Sequence, residues 1–582
     1  MSGQVGRTRE WLRINALPRR DPQQDWTEAA RQLTERLKMP GGTMALRPTQ
    51  AQALVEFGQN RGLFGAIVVG GGKTLLTLLA PQMIGAIRPV LLLPAVLVEK
   101  TKNEQNHLAR HWNLVRNITL LSYEAIGRDP KLLASFRPDC IEADEVHKLK
   151  NPKAGVTRRV KAYFDEFPQT PLLAVSGSVM RKSLKDFAHI LTWALKAGAP
   201  VPSTWEDLDQ WATALDEDTN LFDSAHPGAL LDWCTERSDD EQRDGRHGFR
   251  NRLLWTPGVV ATGSENVEGC SLIATAAAYP VSQATEDNFR TLRGDGTEAN
   301  PGWETPLPDR RTFSMATEAW MYARELALGL HYRWDPPAPE EWRNARKAWH
   351  GTVRYVLKNY HIPGVDTEGT VAEAIDSGRV PDTDRALATW RRIGPTFVPN
   401  SVYEWHDDSA LNACANWMVK HKGIVWVEHV FFGNELARRT GVPYFGPQGL
   451  TADGKSLDAL AGAYRDNPKL PRQPIICSIA ACSTGFNLQY GWNRNLITAC
   501  PSTALPFEQL IGRTHRPGQR EDEVYVDIMI GCIEHFDGLM NSLATGGAVF
   551  DMLKQEPKIA LCSKDFPTEI DIRSMPGYRW RR

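Results

Sequence analysis

The stretch "GAIVVGGGKTLLTLLA", Gly65–Ala80, joins an apolar run to a helix-forming run through three consecutive glycines and a lysine. Ala66–Val69 has strand character, and Leu75–Leu79 can open a buried helix. Gly70, Gly71 and Gly72 let backbone N–H groups turn toward one anion without Cβ clashes. The helix N-terminus adds partial positive charge, Lys73 a full one, and the Thr74 hydroxyl can hold Mg²⁺. Ile67 stands where the strict G-x-x-x-x-G-K-[ST] pattern has its first glycine. Alone, the stretch reads either as a phosphate-gripping loop or as a glycine-rich turn that happens to hold a lysine.

Working outward, short β-rich runs alternate with helical stretches from Met44 to Ala199: "GAIVV", "PVLLLP", "NITLLSY", "DCIEADE" and "PLLAVSG". That alternation is the pattern of a parallel α/β sheet. A second such block starts near Ser401, with "GIVWVEH", "QPIICSIA", "NLITAC" and "EVYVDIMI" as its strands. "CIEADEVHKLKN" places Asp144 and Glu145 at a strand's carboxyl end, where α/β sheets put ligands. A carboxylate there suits Mg²⁺, and its neighbour suits orienting an attacking water. The bland alternative is an ordinary acidic loop after a strand.

The region between the blocks differs in composition, being rich in Trp and in acidic loops. Within it Trp342, Ala345, Trp349, Val353 and Val356 fall at helical spacing, with Arg343, Arg346, Lys347 and Arg354 on other faces. This predicts an amphipathic helix with a solvated basic side; aromatic platforms for nucleic-acid bases are the competing reading.

Bulk properties set bounds. A chain of 582 residues has material for roughly three or four domain-sized units. With 68 basic against 69 acidic residues, no global field favours nucleic acid, so any such surface must be local. The nine cysteines include no C-x-x-C pair, which argues against zinc ribbons and a disulfide framework. No apolar run reaches membrane-spanning length, and "MSGQVGRTREWLR" lacks a signal-peptide core. The expectation is a soluble cytoplasmic protein without a membrane partner.

Several motifs then resemble those of superfamily-two helicases. "ADEVH" looks like a DEAH-type box, "LRPTQAQAL" like the glutamine motif, and "LLAVSGSVMRKSLKDFAHIL" like the coupling motif around Ser176, Gly177 and Ser178. "LLSYEAI" resembles a DNA-backbone-contacting motif, and "CSTGFNLQ" (Cys482–Gln489) one that touches both DNA and the nucleotide-side interface. "QLIGRTHRPGQREDEVYV", Gln509–Val526, carries Arg513 and Arg516 three apart, which on a helix would point both guanidinium groups one way. "THRPGQ", "LRPTQ" and "SGSVMRKSLKDF" are most similar to the Swi/Snf family of duplex-DNA translocases, of a bacterial or phage type. The likeness covers 44–200 and 401–530; Val179 replaces the proline usual in the coupling motif.

The resemblance implies an α/β fold of two RecA-like lobes with parallel sheets, separated by a mainly helical insertion. The expected division is an extension over 1–43, loosely attached, lobe one over 44–200, the insertion over 201–400, lobe two over 401–548 and a tail over 549–582. ATP and Mg²⁺ are the implied cofactors and double-stranded DNA the partner, with the insertion as a surface for protein partners. Gln50 would read adenine; Gly70, Gly71, Gly72, Lys73, Thr74, Gly485 and Gln509 would complete nucleotide binding. Lys73, Asp144, Glu145, Arg513 and Arg516 would carry catalysis, Thr74 and Asp144 would hold the metal, and His147 would couple motifs. A strand-separating helicase, and a recruitment module with a vestigial ATPase, are the alternatives. The basic tail "YRWRR" (Tyr578–Arg582) reads as a solvated terminus or an electrostatic DNA contact.

Overall fold

The computed structural model describes residues 3–21, 23–68, 70–115, 117–177, 179–216, 225–262, 270–294, 316–360 and 367–554, together with Thr297, Ile362, Val365, Lys558 and Met575. Val69, Ser178 and the 578–582 tail lie outside the described residues. Two six-stranded parallel sheets organise the chain. The first is built from β1 (Gly62–Ala66), β2 (Pro89–Leu93), β3 (Thr119–Ser122), β4 (Cys140–Asp144), β5 (Leu172–Ser176) and β6 (Val259–Ala261), in the order β3-β2-β4-β5-β1-β6. Strands β1, β2 and β5 are buried along their whole length, as runs such as "PVLLL" require when helices cover both faces.

The register brings three carboxyl ends side by side. Ala66 pairs with Ser176, and Asp144 with Val175, so the ends of β1, β5 and β4 form one rim. Strand β1 starts and ends earlier than the Ala66–Val69 run predicts. Ile67 N still donates to Ser176 O at 3.0 Å, but Val68 N is taken by Thr262 Oγ1 at 2.9 Å, which ends the ladder.

A small antiparallel pair is formed by β8 (Leu330–Trp334) and β9 (Ser401–Trp405). The second sheet joins β7 (Ser271–Ala278), β10 (Ile424–Val427), β11 (Tyr444–Phe445), β12 (Ile475–Ser478), β13 (Arg494–Ile497) and β14 (Glu523–Ile530), in the order β11-β12-β10-β13-β14-β7. Residues 201–400 therefore differ from an insertion set between two complete lobes. They carry helices, but β6 closes one edge of the first sheet and β7 one edge of the second. Strand β7 pairs with β14 over eight residues, from Ser271↔Glu523 to Ala278↔Ile530. Its sequence "SLIATAAA" owes its strand state to that partner, since alanine alone prefers helix.

The amino-terminal residues are docked, which corrects the loosely attached extension. Trp11 stacks on Trp233 at 5.5 Å and its indole Nε1 donates to Ala229 O at 3.0 Å, while Ile14 is fully buried. The helix Ile533–Leu553 crosses the other way. It starts on the second sheet, yet Ala548, Val549, Met552 and Leu553 sit in the core of the first. There Asp551 receives His247 Nε2 at 2.9 Å and lies 3.4 Å from both Arg243 and Arg246. Among the described residues, no helix is long and apolar enough to cross a membrane.

Candidate functional site

The glycine loop follows β1 and feeds the helix Lys73–Ile84. Gly70 (φ 91°) and Gly72 (φ 78°) adopt left-handed backbone that a side chain would strain. A Cβ at Gly72 would also run into the Gln50 amide. Lys73 Nζ lies 3.3 Å from Ile67 O and 3.4 Å from Val68 O, so the ammonium folds back over its own loop. Thr74 stands beside it on the first helical turn.

Gln50 belongs to the helix Pro48–Asn60 and is 5% exposed. Its Oε1 accepts Arg47 N at 2.9 Å, and its Nε2 donates to Gly71 O at 3.4 Å. The side chain thus caps its own helix and braces the glycine loop with the same amide.

Asp144 ends β4, and Glu145 follows with φ 51°, ψ 45°, a left-handed conformation rare for a residue with a Cβ. That conformation costs on the order of 1–2 kcal/mol and aims the chain turn back toward β5. Ser176 Oγ donates to Glu145 Oε2 at 3.1 Å; His147 Nδ1 lies 3.0 Å from the same hydroxyl and 3.2 Å from the carboxylate. Asp144 Oδ1 accepts Glu145 N at 2.9 Å, and Asp144 O accepts the Tyr123 hydroxyl at 2.9 Å.

The two carboxylates are driven apart electrostatically. Burial, then the Glu145 charge, raises the proton affinity of Asp144 despite Lys73. Burial acts in the same direction on Glu145, but the His147 hydrogen bond and the charges of Lys73, His147 and Arg513 outweigh it and hold Glu145 ionised. A buried carboxylate whose charge is under-compensated is a fitting Mg²⁺ partner, because this ion takes one or two carboxylates and completes its shell with water and phosphate oxygens. Asp144 Oδ2 and the Thr74 hydroxyl are the oxygens it would use. Among the described residues, no group of three or more His, Cys, Asp or Glu forms an all-protein metal cage.

The second sheet supplies the opposite wall. Arg513 is 6% exposed; its Nε donates to Gln509 O at 2.8 Å and its Nη1 to Phe486 O at 3.3 Å. Arg516 Nη1 donates to Asn487 Oδ1 at 2.7 Å. The two arginines do not share a helix face, contrary to the spacing argument. The helix Ala504–Ile511 stops before them at Gly512, and Pro517 disfavours helical backbone at Arg516. Turns bring both to the cleft, held by Leu488 N donating to Arg513 O at 3.1 Å and Gln519 N to Arg516 O at 3.1 Å.

The walls touch. A Cβ on Gly70 would stand 3.2 Å from Pro517 Cδ, and one on Gly485 (φ 88°) 3.0 Å from Leu97 Cδ2. Lys100, on the helix Val98–Leu108, donates across the gap to Gly485 O. Burial and then the Arg513 charge push Lys100 down to about 8. Burial and Arg516 likewise push Arg513 down to about 9, with Glu145 acting against them. Three cations thus converge, with Glu104, Asp458 and Glu145 as the carboxylates acting on them, and a cleft wall so charged suits an anion.

Sequence reasoning missed Lys100, and within the Cys482–Gln489 motif it gave Asn487 no role of its own. "VEKTKNEQ" reads as an ordinary charged helix face, and nothing in its spacing separates Lys100 from Lys102, which pairs with Glu99 at 2.5 Å. Tested against known proteins, the chain matches no family model, and no curated protein matches it.

Proposed function

We propose that the protein is an ATP-driven translocase on duplex DNA. One observation carries the nucleotide half of this reading: the glycine loop and the arginine turn meet across one cleft, where Lys100 donates to Gly485 O, Gly70 abuts Pro517, and the charges of Lys73 and Arg513 both bear on Glu145. Lys73 and the loop N–H groups would grip the β- and γ-phosphates once Lys73 leaves its own carbonyls. Thr74 and Asp144 would hold Mg²⁺, whose contribution when bound is to neutralise charge on the phosphate oxygens. Glu145, kept ionised and aimed by Ser176 and His147, would orient the attacking water. Arg516 would meet the developing charge on the γ-phosphate, and Arg513, tied to two carbonyls, would fix the turn that presents it.

Because the site is completed from two sheets, binding, hydrolysis and release would alternately draw the walls together and free them. Gln50 would read adenine with its second N–H and second lone pair while the first of each keeps capping the helix and bracing the loop. The DNA half of the reading rests on the motif resemblance.

The test is ATP hydrolysis measured in parallel with no nucleic acid, single-stranded DNA, duplex DNA and RNA. Strongest stimulation by duplex, with displacement of a triplex-forming third strand and no opening of a forked duplex, is the expected outcome. Fork unwinding with single strands as the better activator would replace the translocase by a helicase. Absence of hydrolysis under all four conditions would leave a binding module.

A further inference from the structure

The helix Glu340–Asn359 buries Trp342, Ala345, Trp349 and Val356 and leaves an opposite face in solvent. Trp342 and Trp349 pack in small cores against the helices Ala386–Ile393 and Glu368–Asp376, and Trp342 Nε1 donates to Gly394 O at 2.9 Å. This fixes the rotation of the helix. Arg343, Lys347, Arg354 and Lys358 are all exposed. At 100° per residue they fall within an arc of about 60° and extend about 22 Å along the axis.

Within its own unit the stripe carries four cations against one carboxylate on the same arc, Glu340. Arg391 is held by Asp376 through two bonds of 2.7 Å and Arg392 pairs with Glu341 at 3.4 Å, so these two carboxylates are directed to other cations; Glu340, at the start of the helix, falls on the same arc as the stripe but is joined to it by no ion pair among the described residues. Among the described residues, Arg343, Lys347, Arg354 and Lys358 have no ion-pair partner. Arg343/Lys347 and Arg354/Lys358 are like-charge pairs at i,i+4, each unfavourable by about 0.2–0.5 kcal/mol. The helix dipole offsets this for Lys358 in the last turn. It does nothing for Arg343 and Lys347, in the first half. The unit is also tied to the first sheet's layer, since Arg158 Nη1 donates to Val365 O at 3.4 Å.

We propose that this stripe is a second docking surface for the duplex-DNA phosphate backbone, outside the cleft, which anchors the track while the lobes cycle. The proposal rests on the translocase reading for its ligand. A row of cations on a rigid helix, with no side chain there committed to base edges, suits a polyanion with one charge per about 1.7 Å of its axis. Such contacts position the protein and carry no sequence information.

The experiment compares the full chain with a quadruple variant, Arg343→Gln, Lys347→Gln, Arg354→Gln and Lys358→Gln, and with a charge-retaining control, Arg343→Lys, Lys347→Arg, Arg354→Lys and Lys358→Arg. Binding of a fluorescent 40-bp duplex (about four helical turns) is followed by anisotropy across a salt series, and ATPase without nucleic acid is measured alongside. The neutral variant should lose up to about 3 to 4 from the slope of log K against log salt, at about 0.9 per phosphate contact. The control should keep the slope, and all three proteins should share one thermal midpoint and one basal ATPase rate. An unchanged slope in the neutral variant overturns the stripe while the translocase reading stands. A wild-type chain that binds no duplex overturns both. Loss of binding to polyglutamate with duplex binding intact would give the stripe to an acidic protein instead, and overturns the proposal.

Discussion

Ser176 Oγ, at the end of β5, donates a 3.1 Å hydrogen bond to Glu145 Oε2, one residue past the end of β4. The two strands are neighbours, so sheet register sets the aim of the carboxylate. A hydrogen bond to an ionised group contributes about 1.5–3 kcal/mol. Ser176→Ala is therefore expected to lower kcat by tenfold or more with little change in KM. Glu145→Gln should abolish turnover while retaining ATP binding, and Lys73→Ala should weaken binding itself. Steady-state rates with nucleotide titrations separate the three; near-wild-type hydrolysis by Glu145→Gln would sink the assignment.

The arginines should separate by phenotype. Arg516 is held by one side-chain bond to Asn487, whereas Arg513 is buried and bonds two carbonyls. Arg516→Ala is expected to depress turnover by about 10³-fold or more, as for an arginine finger, with an unchanged thermal midpoint. Arg513→Ala should lower both rate and midpoint. A loss below about tenfold in Arg516→Ala would mean that this side chain only lines the cleft.

Lys100 gives the cleft a pH signature. Its folded pKa is depressed to about 8 from a reference of 10.5, by burial and then by Arg513. Between those values the unfolded chain holds the extra proton, so this group's contribution to stability rises with pH across that window and is smallest below 8. A bound polyphosphate supplies the missing negative charge and restores the proton. ATP binding at pH 8.5 should therefore take up protons, seen as a dependence of calorimetric heat on the buffer's ionisation enthalpy. Lys100→Met should flatten that dependence. Buffer-independent heats in the wild-type chain would exclude Lys100 from the nucleotide's field.

Strand β7 predicts what dissection will do. A chain beginning at Ser401 lacks it, and the edge of β14, carrying Val524, Val526 and Ile528, is left open. Bare apolar edges pair with one another. Residues 401–582 alone should self-associate in sedimentation, and a chain beginning at Cys270 should do so far less. A monodisperse, cooperatively melting 401–582 fragment would contradict this.

What the sequence disclosed depended on whether the cause was local. "PVLLL" declares a strand because a continuous apolar run suits a sheet covered on both faces, and "EVYVDIMI" because its β-branched and apolar residues alternate with Glu523, Tyr525 and Asp527. The glycines and Lys73 declare a loop because special backbone angles need special residues. "SLIATAAA" declares nothing, since a strand 252 residues away fixes its state. The same holds for Lys100, whose partner Gly485 belongs to the other sheet. Arg513 and Arg516 were legible as a pair but not in their geometry, because the helix stops at Ile511 and the proline directly after Arg516 disfavours helical backbone there.

The last turns of the helix Ile533–Leu553 are sunk in the first sheet's core, with Asp551 clasped by Arg243, Arg246 and His247. The covalent chain already joins the two bodies between β6 and β7, and this helix closes a mechanical linkage around them. If the two bodies move, this anchorage would resist free translation and favour rotation about the helix's buried end. Any stroke would trace an arc whose radius is the distance from that end to the cleft. The load of any such motion would then fall on one salt-bridged turn.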